Sequence, residues 1–507
     1  MADGSNGWAA DKVFDGASSG YSYDDIIFMP GHVNFKAADV DLSSRLSKNI
    51  ALNTPLVSGP MSTVTEAYMA ICLALKGGIG IIHCRQSVQD QAGMVKVVKN
   101  QDCGMILEPA TLAPFDTVAD VDRIKAAHNW NGVVITDSGM VGGKIMGIVT
   151  SADIDSVDDR STQLSAIMSR QLVLAREPIN LGEAYAMMQQ KKVGKLPIVN
   201  EDMSFVSMVT RRNLKKSAQN PKASRDSSGR LLCGAAVDAG GEGDWGRAVS
   251  LVEAGADVLY LDTFGAKNGF ELDFIQRIKA EYPSIDVIAG PVTTCREAKW
   301  LCDAGVDSVC IGCGSLVPTA SGDMSTVGRP EATAVFELSR YVTLNYGVPT
   351  IALGGIRDPG QILKALCLGA ASVVLDDLLA GCEEAPGATV LHQGACARLH
   401  HNGELHPAMA HRLPGKAEVS KHKVSPVYMN NPVMIKGSVE ALLPYLVRCV
   451  QNGMQDIGIA TVPKLHEALN DSTLRLECRS AFALQVTEAN KQKLQHSEQP
   501  YVMNASV

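Results

Sequence analysis

The sequence predicts an α/β protein: a parallel barrel of eight β/α units interrupted by a smaller inserted module. Three observations carry this. Short apolar runs rich in β-branched residues recur from Leu231 to Leu375, and helical patterns follow most of them. The same alternation already begins between Ile26 and about Gln101. Between the two stretches, at about 103–217, the alternation stops and a weak internal repeat replaces it.

Taken in order, residues 1–22 are polar and glycine-rich and read as a mobile arm. Ala51–Val57 reads as a strand, and Val64–Lys76 as an amphipathic helix stopped by Gly77-Gly78. In the insertion, Met146–Ile154 echoes Val206–Leu214. Each follows a short apolar strand, Val133–Thr136 or Leu196–Val199, and each strand follows a helical segment, Val118–His128 or Leu181–Lys191. A tandem unit spanning about 108–160 and 168–217 follows from this. The barrel then takes 23–102 and 218–507, with strands expected at 231–237, 258–262, 286–290, 308–311, 350–353 and 372–375, and helices at Phe270–Tyr282 and Cys295–Ala304.

At 507 residues the chain accommodates one large domain and one small one. A formal charge of −8 argues against a general nucleic-acid binder. The thirteen cysteines are scattered along the chain and suggest neither a zinc site nor a disulfide framework. No apolar run is long enough to span a membrane, and the first residues lack a basic stretch followed by an apolar core, so a reducing cytoplasm is the expected setting.

The chain is organised around Cys310-Ile-Gly-Cys-Gly-Ser-Leu-Val-Pro-Thr319. A glycine-rich turn after a strand brings backbone N–H groups close to a ligand, and in β/α barrels such turns sit where active sites lie. An ordinary tight turn is the equal alternative from this stretch alone.

Longer runs sharpen the reading. They include Tyr23-Asp-Asp, Thr54-Pro-Leu-Val-Ser-Gly-Pro-Met61, Gly77-Gly-Ile-Gly-Ile-Ile-His83, Gly194-Lys-Leu-Pro-Ile-Val-Asn-Glu201, Gly328-Arg-Pro-Glu-Ala-Thr-Ala334 and Glu384-Ala-Pro-Gly387. With these the chain resembles the IMP dehydrogenase/GMP reductase family over nearly its whole length. The resemblance implies a TIM barrel carrying an inserted CBS (Bateman) pair, a homotetramer or octamer, NAD as cofactor and a potassium ion in the catalytic loop. It also implies chemistry in which a cysteine thiolate adds to the purine, hydride leaves to NAD, and water hydrolyses the adduct.

Mapped onto this chain, the family pattern is altered where ligands would lie. Thr319 stands at the cysteine position, and a threonine hydroxyl with no adjacent base is a poor nucleophile. Glu418 falls near the position of a flap arginine. Gly354 and Gly355 keep the first half of a phosphate cradle, whereas Asp376 and Asp377 replace its Gly-Ser half. A phosphate site wants N–H donors and positive charge, so the two aspartates are expected to repel a dianion, to turn to solvent, or to cap the next helix. Leu353 occupies the place of a ribose-binding aspartate, Gly59 that of a serine, and Met61 is kept. The remaining nucleotide-site positions are Val317, His400, Gly403 and Glu404. His400-His401 raises a metal reading, but adjacent residues on a loop without a spaced third ligand make a weak case.

On the cofactor side Asp262 matches the family, while Thr263 and Phe264 replace serines beside it; Gly312 and Gly314 belong to the loop. Gly314, Leu316 and Thr319 fall at potassium-loop positions, and no strong potassium site is expected from them. In the CBS-like pair, Asp153, Lys195, Thr210 and Asn213 map to nucleotide-contacting positions, implying ATP or GTP as ligand, with a solvated basic face as the alternative. The expectation is a family member lacking catalysis, with a regulatory, nucleotide-sensing or structural role, including co-assembly with an active paralogue. The alternative is an active IMP dehydrogenase or a divergent oxidoreductase with a changed substrate.

Overall fold

A computed structural model describes residues 8–14, 20–101, 105–106, 110–128, 132–155, 157–177, 179, 181–210, 220–239, 242–262, 269–312, 328–392, 395–402, 429–480 and 482–486. The chain divides into two compact units, one of 1–98, 222–224 and 232–507, the other of 99–221 and 225–231.

In the larger unit, eight parallel strands close into a barrel. They are β1 (Leu56–Ser58), β2 (Ile79–Ile82), β3 (Cys233–Val237), β4 (Val258–Asp262), β5 (Asp286–Val292), β6 (Ser308–Ile311), β7 (Thr350–Ala352) and β8 (Ser372–Leu375). Closure comes from β8 pairing with β1, and β2 with β3 across the interruption. These strands are buried on both faces, which is why they read as continuous apolar runs rather than alternating ones. The interior is filled by Val57, Ile81, Tyr260, Ile288, Ile351 and Val374.

The expected strand over 51–57 is instead two short strands, Ala51–Leu52 and Leu56–Ser58. Pro55 lies between them and has no N–H to give to a ladder. The first helix begins at Ala67, three residues later than its apolar pattern suggested, because 61–65 is already tied into turns by Val64 and Thr65 N–H donating to the Met61 carbonyl. The helices over Cys295–Ala304, Val118–His128 and Leu181–Lys191 fall where the pattern placed them. The supposed mobile arm is pinned at Trp8–Phe14: Trp8–Ala9 pairs with Arg475–Leu476, and the Phe14 ring stacks on Phe336 at 4.7 Å. Its apolar residues, overlooked among the glycines, explain this.

Several features of the sequence serve the fold. Gly305 ends a helix with φ of 101°, a conformation glycine adopts without penalty. Glu384 accepts from the Val439 N–H at 2.8 Å and from the Ser438 hydroxyl, capping the long helix Val439–Ile457. Lys364 donates to the Tyr23 carbonyl at 2.8 Å, and Gln361 to Asp24 at 3.2 Å, fastening the Tyr23-Asp-Asp turn to the barrel's outer helices.

In the smaller unit, Gly132–Thr136 and Ile145–Thr150 form one antiparallel pair, and Lys195–Val199 and Phe205–Thr210 the other. Each pair packs with its preceding helix in its own apolar cluster, and Val134, Ile148, Phe205 and Met208 form a third cluster drawing on both pairs. The helix–strand–strand repeat is therefore observed twice.

Candidate functional site

The C-terminal ends of the barrel strands bring together segments far apart in sequence. After β1 the chain turns through Gly59–Thr65, held by the Thr65 hydroxyl donating to the Gly59 carbonyl at 2.6 Å. After β7 come Gly354 and Gly355, with φ of 91° and 71°, so both need the freedom of glycine. After β8 comes Asp376, followed by a short helix, Asp377–Ala380.

Asp376 neither faces bulk water nor caps that helix. It is half-buried as a residue, its side chain makes no capping bond, and its Oδ1 is enclosed against Gly59. It fits because residue 59 is glycine: a Cβ there would lie 2.0 Å from Asp376 Oδ1 and 2.9 Å from Val374 Cγ1. Burial first, then the charge of Asp377, pushes the Asp376 carboxyl up to about 7. Asp262 at the end of β4 adds to this, while His400 and the Gly59 N–H oppose it.

Asp377 behaves oppositely. The His400 ring beside it holds it below the usual carboxylate range against a smaller burial cost. His400 Nε2 lies 3.2 Å from Asp377 Oδ1, and its Nδ1 is 2.8 Å from the Thr63 hydroxyl. His400 is not on a loop, as its sequence context suggested. It belongs to the strand Ala395–Asn402, paired with Met429–Met434, and is fully buried. Its burial and two partners make it part of a Thr63–His400–Asp377 chain. Among the described residues no group of three metal-ligating side chains occurs. The role of His400 had no signal in the local sequence, because one partner, Thr63, lies 337 residues away and the other, Asp377, is on a different element just after β8.

Leu353 is 8% exposed and packs in the barrel interior with Cys310, Ile351 and Val374, so it offers the mouth no acceptor. Gly312 has φ of 145°, and a Cβ there would fall 1.9 Å from the Leu353 carbonyl oxygen; the glycine allows two neighbouring turns to pass closely. Met61 is half-buried at the β1 turn. Thr263, Phe264, Gly314, Leu316, Val317, Thr319, Gly403, Glu404, Glu418 and Asn213 lie outside the described residues.

Cys310 and Cys313 do stand at Cys-x-x-Cys spacing, which the reading of scattered cysteines passed over. Cys310 is fully buried in the barrel core, and burial pushes its thiol up to about 12. Cys84, just past β2, is also pushed up to about 12 by burial and by the charges of Asp262 and Asp238. Both are held as thiols at neutral pH, which disfavours nucleophilic attack.

In the smaller unit, Asp153 Oδ2 accepts from the Thr150 N–H and hydroxyl, each at 2.7 Å, closing a capping box. Lys195 Nζ lies where a Cβ on Gly132 would sit, 1.9 Å away. Burial lowers the Lys195 pKa and the charge of Asp153 raises it, so a lysine of the second repeat senses the acid of the first.

A closed eight-stranded β/α barrel with ionisable groups gathered at one mouth defines a chain of the TIM-barrel class. The IMP dehydrogenase / GMP reductase domain family matches residues 20–487, and the chain belongs to that family. It is 40% identical to inosine-5′-monophosphate dehydrogenase of Toxoplasma gondii, across 95% of this chain and 97% of that protein. It is 36% identical to the protein of that name from Trypanosoma brucei brucei, across 94% of each. In structure it is similar to a cysteine-to-alanine variant of GMP reductase from Trypanosoma brucei in complex with guanosine 5′-monophosphate. That likeness has a TM-score of 0.78 at 29% identity and covers 93% of this chain and 98% of that one. Among the described residues, no helix is long and apolar enough to cross a membrane.

Proposed function

We propose that this chain is an NAD-linked oxidoreductase of purine metabolism whose barrel mouth has been rebuilt for a changed substrate. One observation carries the reading: Asp376 fills the space left by Gly59, so two departures from the family pattern fit each other. Complementary change at facing positions is what a remodelled pocket requires; unrelated losses would leave a clash or a void. The near full-length likeness to inosine-5′-monophosphate dehydrogenases supports the reaction class.

Asp262, at the end of β4, is an acceptor suited to the hydroxyls of a cofactor ribose. NAD, when bound, supplies a hydride acceptor. The residues of this chain supply orientation: Thr63 and Asp377 fix the His400 ring, and Asp376 offers a carboxyl able to hold or release a proton near neutrality. By family likeness the active form is a homotetramer in the cytoplasm.

A second reading, a catalytically silent member, is favoured by the lack of any cysteine in 314–319, the stretch that follows the glycine turn. Its role would be regulatory or structural: sensing ATP or GTP at a CBS pair through Asp153 and Lys195, and co-assembling with an active paralogue. No potassium site enters either reading. Purified protein with NAD and IMP, followed at 340 nm, tests both. Turnover with IMP would mark an ordinary IMP dehydrogenase and overturn the changed-substrate reading. NAD reduction with another purine and not with IMP supports it, and no reduction across purine bases, nucleosides and nucleotides supports the silent one.

A further inference from the structure

A cavity of about 580 Å³ lies in the larger unit where two helices, Val439–Ile457 and Val462–Asn470, end beside the turn at Met29–Gly31. That volume is in the range of small-molecule sites, and no residue lining it belongs to the strand-end turns of the barrel mouth. The apolar lining is Met29, Pro30, Ile457, Ile459, Ala468 and Leu474, and Arg475 is the one charged residue in it. The turn comes this close because residue 31 is glycine: a Cβ there would fall 1.8 Å from the Ile457 carbonyl oxygen. Helix C-termini offer carbonyls that attract cations, but here those groups are taken. Met454 accepts from the Ile459 N–H at 3.1 Å, Gln455 from Gly458 at 2.8 Å and Asp456 from Gly31 at 2.9 Å. Ala468 accepts from Thr473 and Leu474, each at 3.0 Å, and from the Thr473 hydroxyl at 3.2 Å. Arg475 is half-buried, and its side chain makes no ion pair or hydrogen bond among the described residues. A guanidinium partly withdrawn from water without an acceptor is incompletely satisfied.

We propose that this cavity binds a small apolar carboxylate, its carboxylate paired with Arg475 and its hydrocarbon lying against Ile457, Ile459 and Leu474. A carboxylate matches the planar fork of a guanidinium with two parallel hydrogen bonds, and burial of hydrocarbon against the apolar lining supplies the remaining affinity. A cation finds the helix-end carbonyls occupied and Arg475 repelling it. A phosphate dianion wants a nest of N–H donors or several positive groups, and the lining offers one guanidinium. The hydrogen bonds on the helix-end carbonyls lessen the repulsion those ends exert on an anion. The site is independent of the purine reading of the barrel mouth.

The test uses three probes that share one tail: octanoate, octanol and octylammonium. Binding to the full chain is measured by calorimetry for wild type, Arg475→Gln and Ala468→Phe. Wild type is expected to bind octanoate at least about tenfold more tightly than octanol, the margin of one charge-assisted hydrogen bond, and octylammonium most weakly. Arg475→Gln should bring octanoate down to the level of octanol, and Ala468→Phe, which puts a ring into the cavity, should abolish binding of both. Octanol or octylammonium matching octanoate on wild type overturns the proposal. So does octanoate binding left unchanged by either variant, or no binding of any probe at millimolar concentration. Where Ala468→Phe fails to fold, Ala468→Leu fills the same space with a smaller side chain and is read the same way.

Discussion

Replacing Gly59 by alanine should destabilise the barrel, and removing the Asp376 side chain should cancel most of that loss. An added Cβ meets Asp376 Oδ1 at 2.0 Å, Val374 Cγ1 at 2.9 Å and Asp376 Cγ at 3.0 Å. Contacts this short force movement. Asp376 is a short side chain with Oδ1 already enclosed, so it has little room to rotate away. Val374 belongs to the barrel interior and is 1% exposed. Overpacking of this kind costs about 1–3 kcal/mol. At roughly 2–4 °C per kcal/mol for domains of 150–250 residues, the melting temperature should fall by several degrees, somewhat less for a larger barrel. In the Asp376→Gly background two of the three close contacts vanish, and the same substitution should cost under about 1 kcal/mol. Thermal unfolding of the four proteins of this double-mutant cycle reads the coupling directly. An unchanged melting temperature for Gly59→Ala, or an equal loss in both backgrounds, would refute the claim that the two positions are matched.

Further outcomes follow from the same geometry. Asp376 holds a proton up to about pH 7 in the folded chain, whereas an unfolded aspartate releases it near pH 4. Its contribution to stability therefore falls as pH rises through that window and is level above it. The stability difference between wild type and Asp376→Asn should follow this slope from about pH 4.5 to 7.5, and parallel curves would contradict the assignment. The lowered Asp377 acts the other way, its stabilisation being lost only on acidification below about pH 4. Glu384→Ala should cost about 1–2 kcal/mol in a melting experiment by uncapping Val439–Ile457; an unchanged melt would deny the capping role. Thr319→Cys alone should not restore IMP-dependent NAD reduction, since Asp376 stays in place; turnover by that single variant would show its carboxyl to be harmless to phosphate. For the smaller unit, Asp153→Ala should lower both stability and any ATP or GTP affinity, because the carboxylate also caps a helix. Asp153→Asn isolates the binding effect, and equal behaviour of the two variants would discount the capping contribution.

What the sequence made legible follows from the range of the interactions involved. The barrel strands were readable because burial on both faces writes a continuous apolar run into each one, and the helix–strand–strand repeat because each copy folds on its own local pattern. Residue-type arguments located Asp376 and Asp377 as anomalies, since carboxylates contradict what a phosphate needs. They failed on what the aspartates do instead. Solvent exposure and helix capping are the local options for an aspartate, and local options are all that flanking residues reveal. The actual partners, Gly59 after β1 and His400 on a strand beyond the barrel, are set by closure of the sheet, which brings β8 beside β1. The glycine at 59 looked like a lost serine; only beside Asp376 is it the space that lets a carboxylate in. A motif comparison scores each position separately and so counts two losses, where the folded chain contains one exchange of volume. Whether a barrel mouth has decayed or been rebuilt is therefore a question about pairs of positions, and Gly59 with Asp376 is the pair on which this chain answers it.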